Sequence, residues 1–229
     1  MNRIVSPRVV LQVFVFVGVA PFLPLWISGR WDWWQAWIYA VVCVLGFAIS
    51  RALAARRHPD LLAERARFMD YENAQPWDRV LAPLVALGGG LIPLVAGLEA
   101  RCDGSAAFGL AAEVLALVLI LTGYALGAYA LIENRFFSGM VRIQADRGHE
   151  VVSSGPYRWV RHPGYAGALL VYLATPFFLD SRWAFLPAVG LAIAVVVRTH
   201  LEDRTLHEQL EGYREYARQV RYRLLPGVW

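Results

Sequence analysis

Residues 164–197 read GYAGALLVYLATPFFLDSRWAFLPAVGLAIAVVV, two apolar runs interrupted only by Asp180-Ser181-Arg182. A bilayer core of about 30 Å takes about 20 apolar residues as helix. Three polar residues leave room only for a tight turn, so the runs predict an antiparallel helical hairpin. The same apolar signal recurs, giving candidate spans at 9–28, 34–50, 80–98, 107–132, 164–179 and 183–197. Backbone groups in hydrocarbon must be satisfied within their own segment, and nothing alternates as a barrel strand would. The expected fold is therefore all-α, a multi-span integral-membrane helical bundle of about six spans with the last two as a tight hairpin. The fifth segment is short, about 24 Å as helix; if it stops short of crossing, the hairpin is re-entrant.

Composition agrees with a membrane chain. Of 229 residues 58% are apolar, nine are tryptophan, and the mean hydropathy is +0.43, outside the soluble range. The 22 basic residues are all arginine against 18 acids. In a soluble chain that excess would suggest nucleic acid, whereas here it marks loops facing anionic lipid, and no nucleic-acid partner is expected. Nineteen arginines fall in the N-terminus, in 51–79, in 133–163 and from 198 onward, and three in the other loops. That asymmetry predicts a multi-pass protein of the inner membrane with both termini and both long loops cytoplasmic. Two cysteines, Cys43 within a span and Cys102 in a short outer loop, cannot build a disulfide framework or a CxxC metal site, and no metal is expected. The first apolar run is too long for a signal peptide and lacks a small-residue cleavage site, so it reads as a retained span.

Between the spans, 51–79 places Leu53, Leu61, Leu62 and Phe68 among charges and predicts an interfacial amphipathic helix. Prolines 21, 24, 83, 93, 176 and 187 predict kinks, and Gly88-Gly89-Gly90 predicts close helix contact. The chain divides into N-terminal spans with their loop, 1–132, and a catalytic region, 133–229, within one integrated domain. Just before the hairpin, 149–167 reads HEVVSSGPYRWVRHPGYAG, denser in polar and conformationally special residues than a connector requires. Counting outward from Ser181 sets residue 162 opposite residue 200. The inner mouth thus collects His162 and Tyr165 from one arm, and Arg198, Glu202 and Asp203 from the other. Arg198 and Glu202 are i,i+4 neighbours on one helix face. Pro163 suits a first helical turn, and His162 before it is biased away from helix.

Each feature also has a bland reading. His-Pro occurs twice, since Arg57-His58-Pro59 repeats Arg161-His162-Pro163. Arg158, Arg161 and Arg198 could act only as topology determinants, Arg198 and Glu202 as a surface pair, and Tyr157, Trp159 and Tyr165 as belt anchors. Glu113 is a functional candidate by default in a span, but it lies near the outer end.

What lifts the cluster above its parts is a resemblance. GPYRWVRHPGY, preceded by DRGHEVV and followed some forty residues later by Glu-Asp-x-x-Leu and a Tyr-x-x-Tyr helix, resembles the isoprenylcysteine carboxyl methyltransferase and phospholipid methyltransferase group over roughly residues 133–229. The resemblance implies a membrane enzyme holding S-adenosylmethionine in a cytoplasmic pocket without a Rossmann fold, and the chain has no G-x-G-x-x-G after a strand. It implies that His149, Glu150, Val151, Val152 and Tyr157 form part of the cofactor wall, with Gln144 beside them. It further implies that His162, Pro163, Gly164 and Tyr165 form the turn that holds the cofactor, that Glu202 binds it, and that Arg198 serves the substrate. Arg198, His162 and Tyr165 are the expected catalytic residues. Before the Tyr-x-x-Tyr helix the chain departs from the eukaryotic pattern, with Leu210-Glu211-Gly212-Tyr213 one residue shorter.

Displacement at a sulfonium methyl asks the protein mainly to position two reactants and exclude water. The expected activity is S-adenosylmethionine-dependent methyl transfer to a lipophilic acceptor from the inner leaflet, foremost a prenyl-cysteine-like carboxylate, which is already nucleophilic. The alternatives are N-methylation of a phospholipid amine, S-methylation of a small thiol, or, outside enzymes, a transporter or membrane scaffold.

Overall fold

The computed structural model of the chain describes residues 10–11, 13–68, 70–71, 73–102 and 107–229; Arg3, Arg8 and Val9 lie outside them. Among the described residues every predicted span is helical over most of its length, and no strand occurs. We number the helices α1 Phe14–Ser28, α2 Trp34–Arg57, α3 Pro59–Ala66, α4 Asp78–Gly88, α5 Leu91–Cys102, α6 Leu110–Glu133, α7 Pro163–Phe178, α8 Phe185–Gln209 and α9 Tyr213–Gln219. Four helical stretches, with α4 and α5 counted together, are long and apolar enough to cross a membrane, while α1 and α7 are shorter apolar helices. The outward faces carry Val41, Leu45, Ile49, Leu115, Val118, Leu186 and Ile193, all exposed. Leu25, Tyr39, Ile92, Ile120, Phe178 and Leu191 pack the interior. A bundle apolar both inside and outside is an integral-membrane protein.

Local chemistry accounts for the irregularities. α1 is widened over Phe14–Val19 and tightened over Ala20–Phe22, next to Pro21 and Pro24, which cannot donate into the helical ladder. The third predicted span breaks at Gly89 and Gly90, because Pro93 lacks an N–H and its ring would strike the Gly89 carbonyl four residues back. The hairpin turn has Asp180 in the left-handed region, at φ 52. Asp180 accepts from the Ala107 and Phe108 amides (3.0 and 2.6 Å). Glu99 takes the Ser181 hydroxyl and the Trp183 amide (3.0 Å), which ties the turn to α5.

Two expectations need correction. The 51–79 stretch is not one interfacial helix: α2 runs on to Arg57, His58 leaves helical geometry ahead of Pro59, and α3 is a separate short helix. Its apolar residues also divide, with Leu53 exposed on α2 while Leu61 is fully buried under α3. The last helix is longer than its apolar run of 183–197, since α8 continues to Gln209 and carries Arg198, Glu202 and Asp203 on one continuous rod.

Helices α6 and α7 cross at glycines, for which the sequence pattern gave no expectation. Gly123, which begins a G-x-x-x-G pair with Gly127 on α6, lies against Gly167 of α7. A Cβ on Gly123 would come within 2.6 Å of the Gly167 carbonyl oxygen, and one on Gly167 within 2.5 Å of the Gly123 oxygen. Backbone meets backbone there, as small residues permit in membrane bundles. Gly167→Val should therefore lower stability by about 1–3 kcal/mol, the usual cost of overpacking. Gly190→Val, at a glycine with open space around it, should leave the detergent melting temperature unchanged. Equal melting of both variants would mean that the crossing relaxes freely.

Candidate active site

At the arginine-rich end, three buried carboxylates organise the mouth of the bundle, and Asp203 holds the most. It is 0% exposed and accepts from Arg161 Nε and Nη2 (2.8 and 3.1 Å), Tyr213 Oη (2.9 Å) and Arg223 Nε (2.7 Å). His162 Nε2 lies 3.2 Å from the same carboxylate. One side chain of α8 thus gathers the loop before α7, helix α9 and the C-terminal tail. Backbone bonds reinforce the closure, from Arg161 N–H to the Tyr222 carbonyl and from His162 N–H to that of Arg223 (2.9 Å each). Burial lowers the Arg161 pKa, and the Asp203 carboxylate more than offsets it, so the guanidinium stays charged. Burial and the same carboxylate push the Tyr213 phenol well up.

Asp78, the second carboxylate, opens α4. It receives Arg198 Nε (2.7 Å) and Nη2 (2.9 Å) as a fork and the Val141 amide (2.6 Å), while Arg198 Nη2 also donates to the Gly139 carbonyl (2.9 Å). Glu64 of α3 is the third, accepting from Arg142 Nε and Nη2 (3.0 Å each) and from the Tyr71 hydroxyl (2.6 Å). Asp60 adds Arg147 (2.7 Å) and Arg135 (2.9 Å), and Arg147 and Arg135 hold its carboxyl down at about 2. The 51–79 stretch is thereby clamped to 135–149. Sequence offered no signal for Asp78 or Glu64, whose partners lie far along the chain.

The mouth brings together four expected residues. Tyr165 donates to Glu202 Oε2 (2.6 Å), the Arg198 guanidinium lies over the Tyr165 ring at 5.4 Å, and His162 stacks beside Tyr165 at 6.0 Å between rings. Pro163 is the first residue of α7. Gly164 faces the Phe137 ring, which a Cβ would meet at 2.6 Å. Gln144 is buried and donates to the Phe136 carbonyl (2.7 Å), and its backbone N–H donates to His149 Nδ1 (3.2 Å). Tyr157 is held between α6 and α9: its hydroxyl accepts from Asn134 (3.1 Å), its carbonyl accepts from the Tyr216 hydroxyl (2.7 Å), and burial raises its phenol, with the Glu202 charge adding to the shift. Glu150 is exposed, while Val151 and Val152 are half-buried against Tyr157, Leu210, Tyr213 and Tyr216.

The donor set fits an adenosyl cofactor. Residues 150–153 belong to no helix or strand, and among the described residues their N–H and C=O groups make no backbone hydrogen bond. They leave an edge able to read a purine, and the Tyr165–Glu202 pair is able to take hydroxyl or ammonium groups. No group of three or more His, Cys, Asp or Glu side chains able to hold a metal occurs among the described residues.

Fold and mouth together define a multi-helix membrane protein with a buried polar centre at one end. Residues 114–208 match the model of the "Isoprenylcysteine carboxyl methyltransferase (ICMT) family". Protein-S-isoprenylcysteine O-methyltransferase B of Arabidopsis thaliana is 32% identical over 112 residues, covering 45% of this chain and 54% of that protein. The Homo sapiens protein-S-isoprenylcysteine O-methyltransferase is 29% identical over 116 residues, covering 47% and 39%. The Drosophila melanogaster lamin-B receptor is 29% identical over 103 residues, covering 42% and 14%. The chain thus spans about half or less of these relatives' lengths, and the lamin-B receptor's name is not that of a methyltransferase.

Two expectations follow from the electrostatics. Asp203→Asn leaves several cations facing a neutral amide and should cost roughly 3–5 kcal/mol, as for other broken buried pairs; trypsin should then cut at Arg221 and Arg223. A loss below about 1 kcal/mol with the tail still protected would show that Asp203 does not hold the closure. His149 is held down at about 4 by burial and by the charges of Arg142 and Arg147. The unfolded chain therefore takes up this proton at its ordinary pKa of about 6.5, before the folded one does. Stability should fall as pH drops from about 6.5 to about 4 and lose nothing more from this group below that. His149→Asn should flatten that part of a melting-temperature profile.

Proposed function

We propose that the protein transfers a methyl group from S-adenosylmethionine to a lipophilic acceptor, the carboxylate of a prenyl-cysteine-like molecule. The observation that carries this reading is the convergence of Tyr165, Glu202 and Arg198 on one mouth under a loop that the family segment includes. In this reading the arginine-rich end faces the cytoplasm, both termini lie on that side, and the acceptor enters sideways from the inner leaflet.

Bound there, S-adenosylmethionine supplies an electrophilic methyl group on a sulfonium. The chain's own residues then position and shield. The backbone edge of 150–153 reads the base, and Gln144, His149 and Tyr157 brace that wall. Glu202, oriented by the Tyr165 hydroxyl, binds ribose hydroxyls or the ammonium. The Tyr165 ring offers a π-face to cationic charge. His162, fixed by Asp203, sets the start of α7 and with it the placement of Tyr165. Arg198 lies one turn nearer the bilayer than Glu202, where a lipophilic acceptor would present its head. Because Asp78 takes Nε and Nη2 of Arg198, this guanidinium is rigid and orients the acceptor carboxylate. A carboxylate needs no base, whereas an amine would meet a cation.

The test is methyl transfer from labelled cofactor to N-acetyl-S-farnesyl-cysteine by the purified chain. Glu202→Gln should weaken cofactor binding, read by calorimetry, about tenfold to a hundredfold, the worth of a charge-assisted hydrogen bond. His58→Ala should leave it unchanged. Arg198→Lys should keep cofactor binding and lose most turnover, since lysine cannot reproduce the fork to Asp78. Label in phosphatidylethanolamine or a small thiol, with none in the prenyl-cysteine, would overturn the acceptor; equal cofactor affinity in wild type and Glu202→Gln would remove Glu202 from the pocket.

A further inference from the structure

The charges at the mouth do not balance around Arg198 alone. Arg198 is neutralised by Asp78, and Glu202 adds a negative charge half-buried beside it. A carboxylate arriving there would be a buried anion without a counter-charge of its own, a costly arrangement. Arg57, Arg135, Arg142, Arg147, Arg161 and Arg223 are likewise occupied with carboxylates.

At this end of the bundle, among the described residues, two half-buried arginines are not. Arg51, on the seventh residue before His58, donates to the Ser50 hydroxyl (3.1 Å) and lies over the Phe47 ring at 4.5 Å. Arg65, on the seventh residue after His58, donates through Nη1 to the Phe137 carbonyl (3.0 Å) and lies over that ring at 5.4 Å. Neither has an ion pair with a carboxylate among the described residues. Phe137 is the residue that meets Gly164 at the start of α7, so Arg65 sits one side chain from the mouth. Burial, with repulsion from Arg51 and Arg198, lowers the Arg65 pKa to about 9, and Tyr165 partly offsets the shift. Ala54, one turn past Arg51, and Leu61, one turn before Arg65, pack with Phe137 in one cluster, which sets both guanidinia beside it. Uncompensated guanidinia on one cluster are unfavourable until an anion arrives.

We propose that Arg51 and Arg65 form the anion-binding end of the acceptor site, taking the oxyanion of a lipophilic amphiphile, specifically the acceptor's carboxylate, while Arg198 orients it. The assignment rests on the methyl-acceptor reading above, but it concerns binding and is tested without turnover. Both residues precede the segment that matches the family, so they would set acceptor preference from outside it. A bidentate guanidinium contact suits a carboxylate or a phosphate, and the lipid phosphate is the competing source.

The experiment titrates N-acetyl-S-farnesyl-L-cysteine and its uncharged methyl ester into the full chain in phosphatidylcholine nanodiscs, following tryptophan fluorescence. Wild type should bind the acid at least about tenfold tighter than the ester, the scale of one charge-assisted hydrogen bond. Arg51→Gln and Arg65→Gln should each erase most of that preference while ester affinity and melting temperature hold, and Arg65→Lys should restore part of it. The preference should persist in nanodiscs containing phosphatidylglycerol. Equal binding of acid and ester by wild type overturns the proposal, as does an undiminished preference in both glutamine variants. Loss of acid binding on adding phosphatidylglycerol assigns the pair to lipid phosphate and overturns the carboxylate. Acid preference that vanishes in the glutamine variants supports it even if no methyl transfer is found, so the two readings fail separately.

Discussion

One buried carboxylate, Asp203, is what the site depends on. Arg161, His162, Tyr213 and Arg223 belong to a loop, a helix and a tail that share no secondary structure, and all point at its two oxygens. A fully desolvated acid is tolerable only when its lone pairs are filled by charged donors, so the requirement works in both directions. Asp203 needs the loop and tail in place, and they have no comparable alternative partner. The rod that supplies it, α8, begins in the apolar bundle and projects beyond it, so the closure inherits the bundle's rigidity.

Glu64 and Asp78 repeat the arrangement on the opposite side. Asp78 fixes Arg198 through a fork whose planarity leaves little rotational freedom. Glu64 holds Arg142, whose guanidinium also lies over Tyr71 at 4.3 Å. The N-terminal helices are therefore part of the mouth's wall. They supply acids to the loop after α6, and that loop supplies carbonyls to Arg65 and Arg198. A site built from neutralised pairs is stiff but electrostatically quiet. This is why the two guanidinia without carboxylates stand out.

The paired His-Pro motifs show where local sequence stops being informative. His58 and His162 each leave helical geometry, at φ −136 and −127, and each is followed by a proline that opens a helix. To that extent the same three residues make the same structure twice. Their imidazoles then differ entirely: His162 meets Asp203 and Tyr213, whereas the buried Nε2 of His58 has no hydrogen-bond partner among the described residues. Proline sets backbone dihedrals through its own ring, a local effect. What a side chain meets depends on residues forty or more positions away.

Helix content, the tight final hairpin and the meeting of His162, Tyr165, Arg198 and Glu202 were determined by the sequence alone. Apolar run length, a three-residue turn and the 3.6-residue period are local quantities, and they constrain a chain in a bilayer strongly. The break at Gly89 also follows from its neighbours, through Pro93. Only the tertiary structure decided that α3 clamps the loop after α6, that Asp78 claims Arg198, that the Tyr157 carbonyl takes the Tyr216 hydroxyl of α9, and that Gly123 touches Gly167. Each of these is a contact between surfaces distant in the chain, chosen by shape and by the cost of leaving a charge unpaired in a dry interior, and neither quantity is written in any one stretch of residues.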